Sequence, residues 1–277
     1  MPIDKIIDQY RVLGNPIHQS KSPNIHQAFA AATNQPLNYQ AQLVAEKDFE
    51  HTVRQFFVAG GKGLNITVPF KQRAFAMAQV HSPAAAKAEA ANTLYLNAQA
   101  QLVADNTDGL GLVRDICHNL KGQLNAKRIL VLGAGGAVRG VLQPILAQRP
   151  AQVVIANRTY TKACDLAALF TDLGAIEAIP MAQLQGSFDW IINGTSASLT
   201  GDLPPLPKGL VSNASRCYDM MYAKAPTPFL QLAAKQGARK IADGLGMLVE
   251  QAAESFRLWR NIKPDTRVVI QSIRNSL

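Results

Sequence analysis

The sequence predicts an α/β chain of two domains, one an N-terminal α/β domain and the other built on a doubly wound parallel sheet. Three observations predict it. Strand-like and helix-like segments alternate from Tyr10 onward. Beyond Lys127 the strands become near-continuous apolar runs, as in a parallel sheet covered by helices on both faces. The chain has 277 residues, enough for more than one core.

In chain order, "YRVLG" reads as a strand and "SPNIHQAFAAATN" as a helix, with Ser22 at the N-cap and Pro23 at the first helical position. "LNYQAQLV" alternates like a strand, and the amphipathic "EKDFEHTVRQFFVAG" stops at Gly60 and Gly61. "GLNITVP" is a strand, "FKQRAFAMAQV" a helix, and "TLYLNAQAQLVAD" two strands around a polar turn. "RILVLG" then runs into glycines and a helix. "QVVIANRT" is a strand followed by the helix "YTKACDLAALFTDLG". "DWIINGTS", "RCYDMMY" and "ARKIADG" supply further strands, and "DGLGMLVEQAAESFRLWRNI" and "PDTRVVIQSIRNSL" supply closing helices.

Composition narrows the function. Hydrophobic residues at 48% and charged residues at 17% describe a globular chain rather than a disordered one. No apolar run approaches the roughly twenty residues of a membrane span, and "MPIDKIIDQY" lacks a signal pattern. Cys117, Cys164 and Cys217 are scattered, which points to a reducing, cytoplasmic setting and no structural zinc; no metal is expected. The formal charge of +9 is spread along the chain without a basic tract. Small anionic molecules are therefore the expected partners, not nucleic acid or a membrane, with the chain acting as a monomer or homodimer.

"VLGAGGAVRG" follows a strand and opens a helix, the context a dinucleotide requires. Gly133, Ala134, Gly135, Gly136 and Ala137 form the turn. Glycine lets the backbone approach a pyrophosphate, and the helix start offers N–H groups and a favourable dipole. The fit to GxGxxG is imperfect, because the sixth position is Val138. The next strand ends in Asn157, Arg158 and Thr159, with Lys162 close behind. NAD sites usually place a carboxylate there; Arg158 would instead grip a 2′-phosphate, which favours NADP.

The segments "GNPIHQSKSPNIH", "NITVPFK", "AANT", "DNTDG", "GAGGA", "NRT", "NGTS", "YDMMY" and "DGLGMLVEQ" occur in an order that resembles the shikimate dehydrogenase family over almost the whole chain. The resemblance implies NADPH-linked reduction of 3-dehydroshikimate to shikimate, within aromatic amino-acid biosynthesis. It implies a substrate domain beside a Rossmann-type NADP domain. The expected division is 1–108 plus 245–277 for the substrate domain, since Gln251 must return to it, and 109–244 for the dinucleotide domain.

The same resemblance assigns roles. Ser20 and Ser22 would bind the substrate carboxylate. Asn65, Thr67, Asn92, Tyr222 and Gln251 would meet the rest of the substrate. Lys71 and Asp108 would be the catalytic pair, the ammonium stabilising charge that grows on the ketone oxygen. Thr195, Met220, Gly244 and Met247 would lie near the nicotinamide. Read without the resemblance, Lys71 is a surface lysine after a strand and Asp108 a helix cap. His18 and His26 read as structural or ligand-edge residues. Two departures stand out: Glu89 where the family commonly has glycine, and Pro144 inside a helix, where it is expected to introduce a kink. The rival readings are a shikimate/quinate enzyme with relaxed substrate or cofactor choice, an NADPH-binding sensor without catalysis, and a nucleic-acid binder suggested only by charge.

Overall fold

The structure is a computed structural model that describes residues 7–195, 206–207 and 209–277. The first six residues weighed for a signal pattern, and Ser196 of "NGTS", lie outside the described residues. The chain divides into two compact units. One combines the chain up to Gly111 with Val249–Ser276, and the other is Leu112–Leu248.

The first unit has a six-stranded mixed sheet in the order β2-β1-β3-β5-β6-β4. Its strands are β1 (Asp8–Gly14), β2 (Leu37–Leu43), β3 (Gly63–Ile66), β4 (Val80–His81), β5 (Thr93–Leu96) and β6 (Leu102–Asp105). β1 pairs parallel with β2 and β3, whereas β5 is antiparallel to β3 and β6. Around it lie α1 (Ser22–Ala32), α2 (Phe49–Val58), α3 (Lys71–Met77), α4 (Pro83–Ala88) and α5 (Asp108–Arg114), which runs on past Gly111. The apolar face of α2 delivers Phe49, Val53 and Phe56 to a core shared with Leu13, Leu64, Ile66, Phe70 and Leu94.

Several sequence expectations change here. Ser22 is the first residue of α1 rather than its cap; the preceding Lys21 occupies the cap and makes no side-chain cap bond. Ser20 Oγ accepts the Ser22 N–H at 3.3 Å, so the nearer hydroxyl does the capping work. The two-residue β4 and α4 were not read from the sequence, although Ser82 caps α4 by accepting from the Ala85 N–H and Pro83 follows it. Glu89 ends α4 at φ +46°, ψ +37°. That left-handed conformation explains why glycine suits the position, since a Cβ there costs roughly 1–2 kcal/mol.

The second unit is a parallel sheet in the order β12-β11-β10-β7-β8-β9. The strands are β7 (Arg128–Leu132), β8 (Gln152–Ala156), β9 (Ile176–Ala178), β10 (Trp190–Asn193), β11 (Arg216–Asp219) and β12 (Lys240–Asp243). Read from β9, this is the 3-2-1-4-5-6 order of a Rossmann sheet, with the switch point between β7 and β10. α6 (Gly136–Leu146), α7 (Tyr160–Ala168), α8 (Pro228–Lys235) and the start of α9 (Leu245–Arg260) cover it, and α10 (Arg267–Asn275) belongs to the first unit. The central strands are buried on both faces: Ile129, Val131 and Ile192 enter one core, Leu130, Leu132 and Ile191 the other. Short edge β9 and helix α8 escaped the sequence reading. Pro144 lies in the last turn of α6, which continues through it and ends two residues later. Its missing N–H removes only one bond there.

Candidate active site

In the first unit, β3 ends at Ile66, and a tight turn through Thr67–Pro69 leads into α3, whose first residue is Lys71. A cation in the first turn of a helix opposes the helix dipole, and α3 has no acidic residue there. Asp108, the first residue of α5, answers it: Lys71 Nζ and Asp108 Oδ2 form an ion pair, with the side chains 20% and 9% exposed. The pair thus keeps one edge open while its carboxylate is nearly covered. Asp108 is not a cap for its own helix; its N–H instead donates to Asn106 Oδ1 at 3.2 Å.

Asn92 ties this pair to two distant segments. Its Nδ2 lies within donating distance of Asp108 Oδ1 (2.8 Å), Thr107 Oγ1 (2.9 Å) and Gln251 Oε1 (3.1 Å). Its Oδ1 accepts the Thr107 N–H at 2.9 Å. Gln251 therefore reaches the site from α9, 159 residues along the chain from Asn92. Ser255 stands one helical turn after Gln251 on the same face and accepts from Asn65 Nδ2 at 3.0 Å. Asn65 also donates to the Asn92 carbonyl at 3.1 Å and accepts the Tyr39 hydroxyl at 2.7 Å. Asn65 is only 6% exposed, so most of its hydrogen-bonding capacity organises the site from beneath. Thr67, Ser20 and Lys71 are half-buried, and Ser22 is buried.

Tyr39, Thr93, Thr107 and Ser255 were missed in the sequence. Ser255, four residues after Gln251, Thr107, inside "DNTDG", and Thr93, inside "AANT" and donating to Asn92 Oδ1 at 2.9 Å, carried a usable signal; Tyr39 did not. His18 is exposed, but His26 is fully buried and stacks on Tyr39 with ring centroids 4.2 Å apart. Burial lowers the His26 pKa to about 3, with the Asn65 side chain opposing. An unfolded histidine titrates near ~6.5, so the unfolded chain takes up this proton first as the pH falls. The stability His26 contributes as a neutral ring is full above about pH 6.5 and is lost as the pH drops toward 3, at a limiting slope of about 1.4 kcal/mol per pH unit. His26→Phe keeps a ring in the stack, and urea unfolding at stepped pH is expected to show this slope diminished by one proton. An identical pH dependence in the variant would refute the assignment.

In the second unit the glycine turn sits at the carboxyl end of β7. Gly133 has φ +107°, which a side chain would resist, and its N–H donates to the Ala156 carbonyl at 2.8 Å. Gly135 caps α6, and no side chain caps the helix start. A Cβ added at Gly135 or Gly136 would meet nothing within 4 Å. Open space lies over uncapped N–H groups at the positive end of an 11-residue helix, which fits a pyrophosphate. Ala134 packs on the core and Ala137 is exposed. Val138, which breaks the glycine pattern, is fully buried; a Cβ on Gly194 would overlap it, so Gly194 at the end of β10 supplies the close approach instead.

At the end of β8, Asn157 Nδ2 donates to the Thr159 carbonyl at 2.9 Å and shapes the turn. Arg158, Thr159 and Lys162 are exposed beside it. At the ends of β10 and β11, Asn193 Oδ1 accepts from both Thr195 N–H (3.1 Å) and Thr195 Oγ1 (2.7 Å), and Asn193 donates to Asp219 at 3.2 Å. Met220 follows Asp219, and Gly244 passes against the Met220 backbone, donating its N–H to the Met221 carbonyl at 3.0 Å. Met247 packs with Met220 and Ala134 on one core. Tyr222, half-buried, also belongs to this unit, and burial raises its pKa. Among the described residues no group of three or more His, Cys, Asp or Glu side chains could hold a metal ion, and no helix is long and apolar enough to cross a membrane.

Comparison with known proteins bears on the same segments. Residues 12–94 match the family described as the shikimate dehydrogenase substrate binding domain, residues 115–201 shikimate / quinate 5-dehydrogenase, and residues 244–274 the shikimate 5'-dehydrogenase C-terminal domain. The chain is 56% identical to the shikimate dehydrogenase (NADP(+)) of Cellvibrio japonicus, over 98% of both chains. A crystal structure of an Ael1 enzyme from Pseudomonas putida is similar at 50% identity and TM-score 0.90, covering 96% of this chain and 97% of that one. The shikimate 5-dehydrogenase of Thermus thermophilus, solved in complex with NADP(H) and shikimate, is similar at 29% identity and TM-score 0.88, over 98% and 100% of the two chains.

Proposed function

The chain belongs to the shikimate dehydrogenase family, and from that premise we propose that Lys71 and Asp108 carry the proton chemistry of its reaction. That reaction is the reversible NADP-linked reduction of 3-dehydroshikimate to shikimate, a step of the shikimate pathway. The observation that carries the residue assignment is the Lys71–Asp108 ion pair, bound through Asn92 to Gln251.

NADPH, when bound, supplies the hydride. As the ketone carbon is reduced, negative charge grows on its oxygen; the Lys71 ammonium stabilises that charge and donates the proton. Asp108 holds the ammonium in place and accepts a hydrogen bond from the substrate hydroxyl. In the oxidative direction the same pair receives the proton. Asn92 and Gln251, hydrogen-bonded to each other, meet the substrate hydroxyls by exchanging one of the bonds that Asn92 Nδ2 shares among Asp108, Thr107 and Gln251. Thr67 and Asn65 support them from the end of β3. Ser20 and Ser22, at the start of α1, take the carboxylate, where hydroxyls and the helix dipole both favour an anion. Tyr222 completes the substrate contacts.

Gly133, Ala134, Gly135, Gly136 and Ala137 hold the pyrophosphate. Asn157, Arg158, Thr159 and Lys162 hold the 2′-phosphate, and Thr195, Met220, Gly244 and Met247 flank the nicotinamide. The substrate domain, expected as 1–108 with 245–277, corresponds to the first unit, and the dinucleotide domain, expected as 109–244, to the second, which extends through the first turn of α9 to Leu248. We place the protein in the cytoplasm as a monomer or homodimer.

The test is direct. Purified chain should form NADPH from shikimate and NADP⁺, with much lower rates when NAD⁺ or quinate is substituted. No shikimate-dependent NADPH formation would remove the reading. Comparable turnover of quinate, or of NAD⁺, would favour the relaxed-specificity alternative instead.

A further inference from the structure

α5 does not end where its α-helical hydrogen bonding stops. It continues as a single wide π turn, Asp115–Asn119, a distortion that often marks a functional position. The turn aims Asp115 inward, where it is 3% exposed. Tyr218 on β11 donates its hydroxyl to Asp115 Oδ2 at 2.8 Å, and Asn119 Nδ2 donates to Oδ1 at 3.0 Å. The third neighbour is a backbone. A Cβ placed on Gly246 would overlap the Asp115 carboxylate, so the acid lies directly against the first turn of α9 and only glycine admits it. That turn has no acidic residue of its own, and a carboxylate at a helix start is favoured by the dipole.

The clamped turn carries Met247, and the clamping strand leads into Met220. Both methionines join the core cluster of Tyr218, Val138 and Ala134. They stand on the β10–β11–β12 side of β7, whereas Arg158 stands on the β8 side. A dinucleotide whose pyrophosphate lies at the end of β7 spreads its two nucleosides to opposite sides of the switch point. With the 2′-phosphate at Arg158, the other half must extend over the β10–β11 side.

We propose that Asp115, held by Tyr218 and Asn119 against Gly246, is a positioning residue that sets Met220 and Met247 as the seat for the nicotinamide half of the dinucleotide. The inference rests on the NADP reading above. The 2′-phosphate end lies on the other side of β7, so the effect of Asp115 separates by ligand. NADPH binding is measured by fluorescence titration, and binding of 2′,5′-ADP, which has the 2′-phosphate but no nicotinamide, by competition or calorimetry. Asp115→Asn and Tyr218→Phe should each weaken NADPH about tenfold, the loss of roughly one charge-assisted hydrogen bond, and leave 2′,5′-ADP within twofold of wild type. Unchanged NADPH affinity, or equal loss for both ligands, overturns the proposal; the second result would mean a general packing role. Tyr218→Phe keeps the ring volume and decides the matter should Asp115→Asn fail to fold. A wild-type chain that binds neither ligand removes the NADP reading itself, and the inference with it.

Discussion

Replacing Lys71 by alanine should lower kcat for shikimate oxidation by about 10³-fold while the KM for shikimate stays within a few-fold of wild type. The split follows from where Lys71 sits. The substrate's carboxylate and most of its hydroxyls are assigned to Ser20, Ser22, Asn92 and Gln251, none of which depends on the ammonium for its position. What the ammonium adds is felt when charge develops on the reacting oxygen, and such interactions appear in kcat. The variant should still fold. Asp108 loses its cation but keeps the bond from Asn92 Nδ2 at 2.8 Å, and the urea midpoint checks that this suffices. Asp108→Asn should produce a loss of similar size, and the double replacement should cost little more than either single one, because the two side chains act as a unit. Turnover of Lys71→Ala within tenfold of wild type would take the lysine out of the chemistry.

The parts of this site differ in how visible they are in the sequence, for physical reasons. The strands of the second unit are apolar on both faces, and "RILVLG" and "VVIA" announce a buried parallel sheet before any pairing is known. The glycine turn is likewise local: a few consecutive residues carry its shape. Lys71 and Asp108 are recognisable as members of motifs, but nothing in either motif tells that the two side chains meet across 37 residues. The support beneath them is less visible still. Asn65 and Ser255 bond across 190 residues, and Asp115 reaches Tyr218 across 103. Such bonds are made by the folded chain as a whole, and each partner alone looks like an ordinary polar residue in a helix or strand. Short elements fail for another reason. β4 and β9 have two and three residues, too few to show a period, and exist because neighbouring strands template them. The misread cap at Ser22 was a matter of two residues: Ser22 opens α1 and its amide is received by the Ser20 hydroxyl, a choice that backbone geometry alone decides.

Arg158→Ala should weaken NADP⁺ by about 10–100-fold and leave NAD⁺ nearly unchanged, so that the preference between the cofactors collapses. The magnitude is that of charge-assisted hydrogen bonds worth about 1.5–3 kcal/mol, at about 1.4 kcal/mol per tenfold. The turn is built to leave this residue available. Asn157 spends its amide on the Thr159 carbonyl, and the exposed Arg158 makes no hydrogen bond or ion pair among the described residues. No acidic residue occurs between Asn157 and Lys162 to take ribose hydroxyls in the manner of an NAD site. Specificity here is then gained by attraction to the phosphate rather than by repulsion of NAD⁺. Removing the attraction should not create an NAD⁺ enzyme; it should level the two cofactors downward. Two companion measurements follow from the same physics. Arg158→Lys should recover only part of the affinity, since a single ammonium cannot match the planar two-bond grip of guanidinium. Raising salt should weaken NADP⁺ in the wild type more than in Arg158→Ala, because the lost contact is between exposed charges. An Arg158→Ala chain that keeps its full preference for NADP⁺ would move the phosphate elsewhere, with Lys162 the next cation to replace.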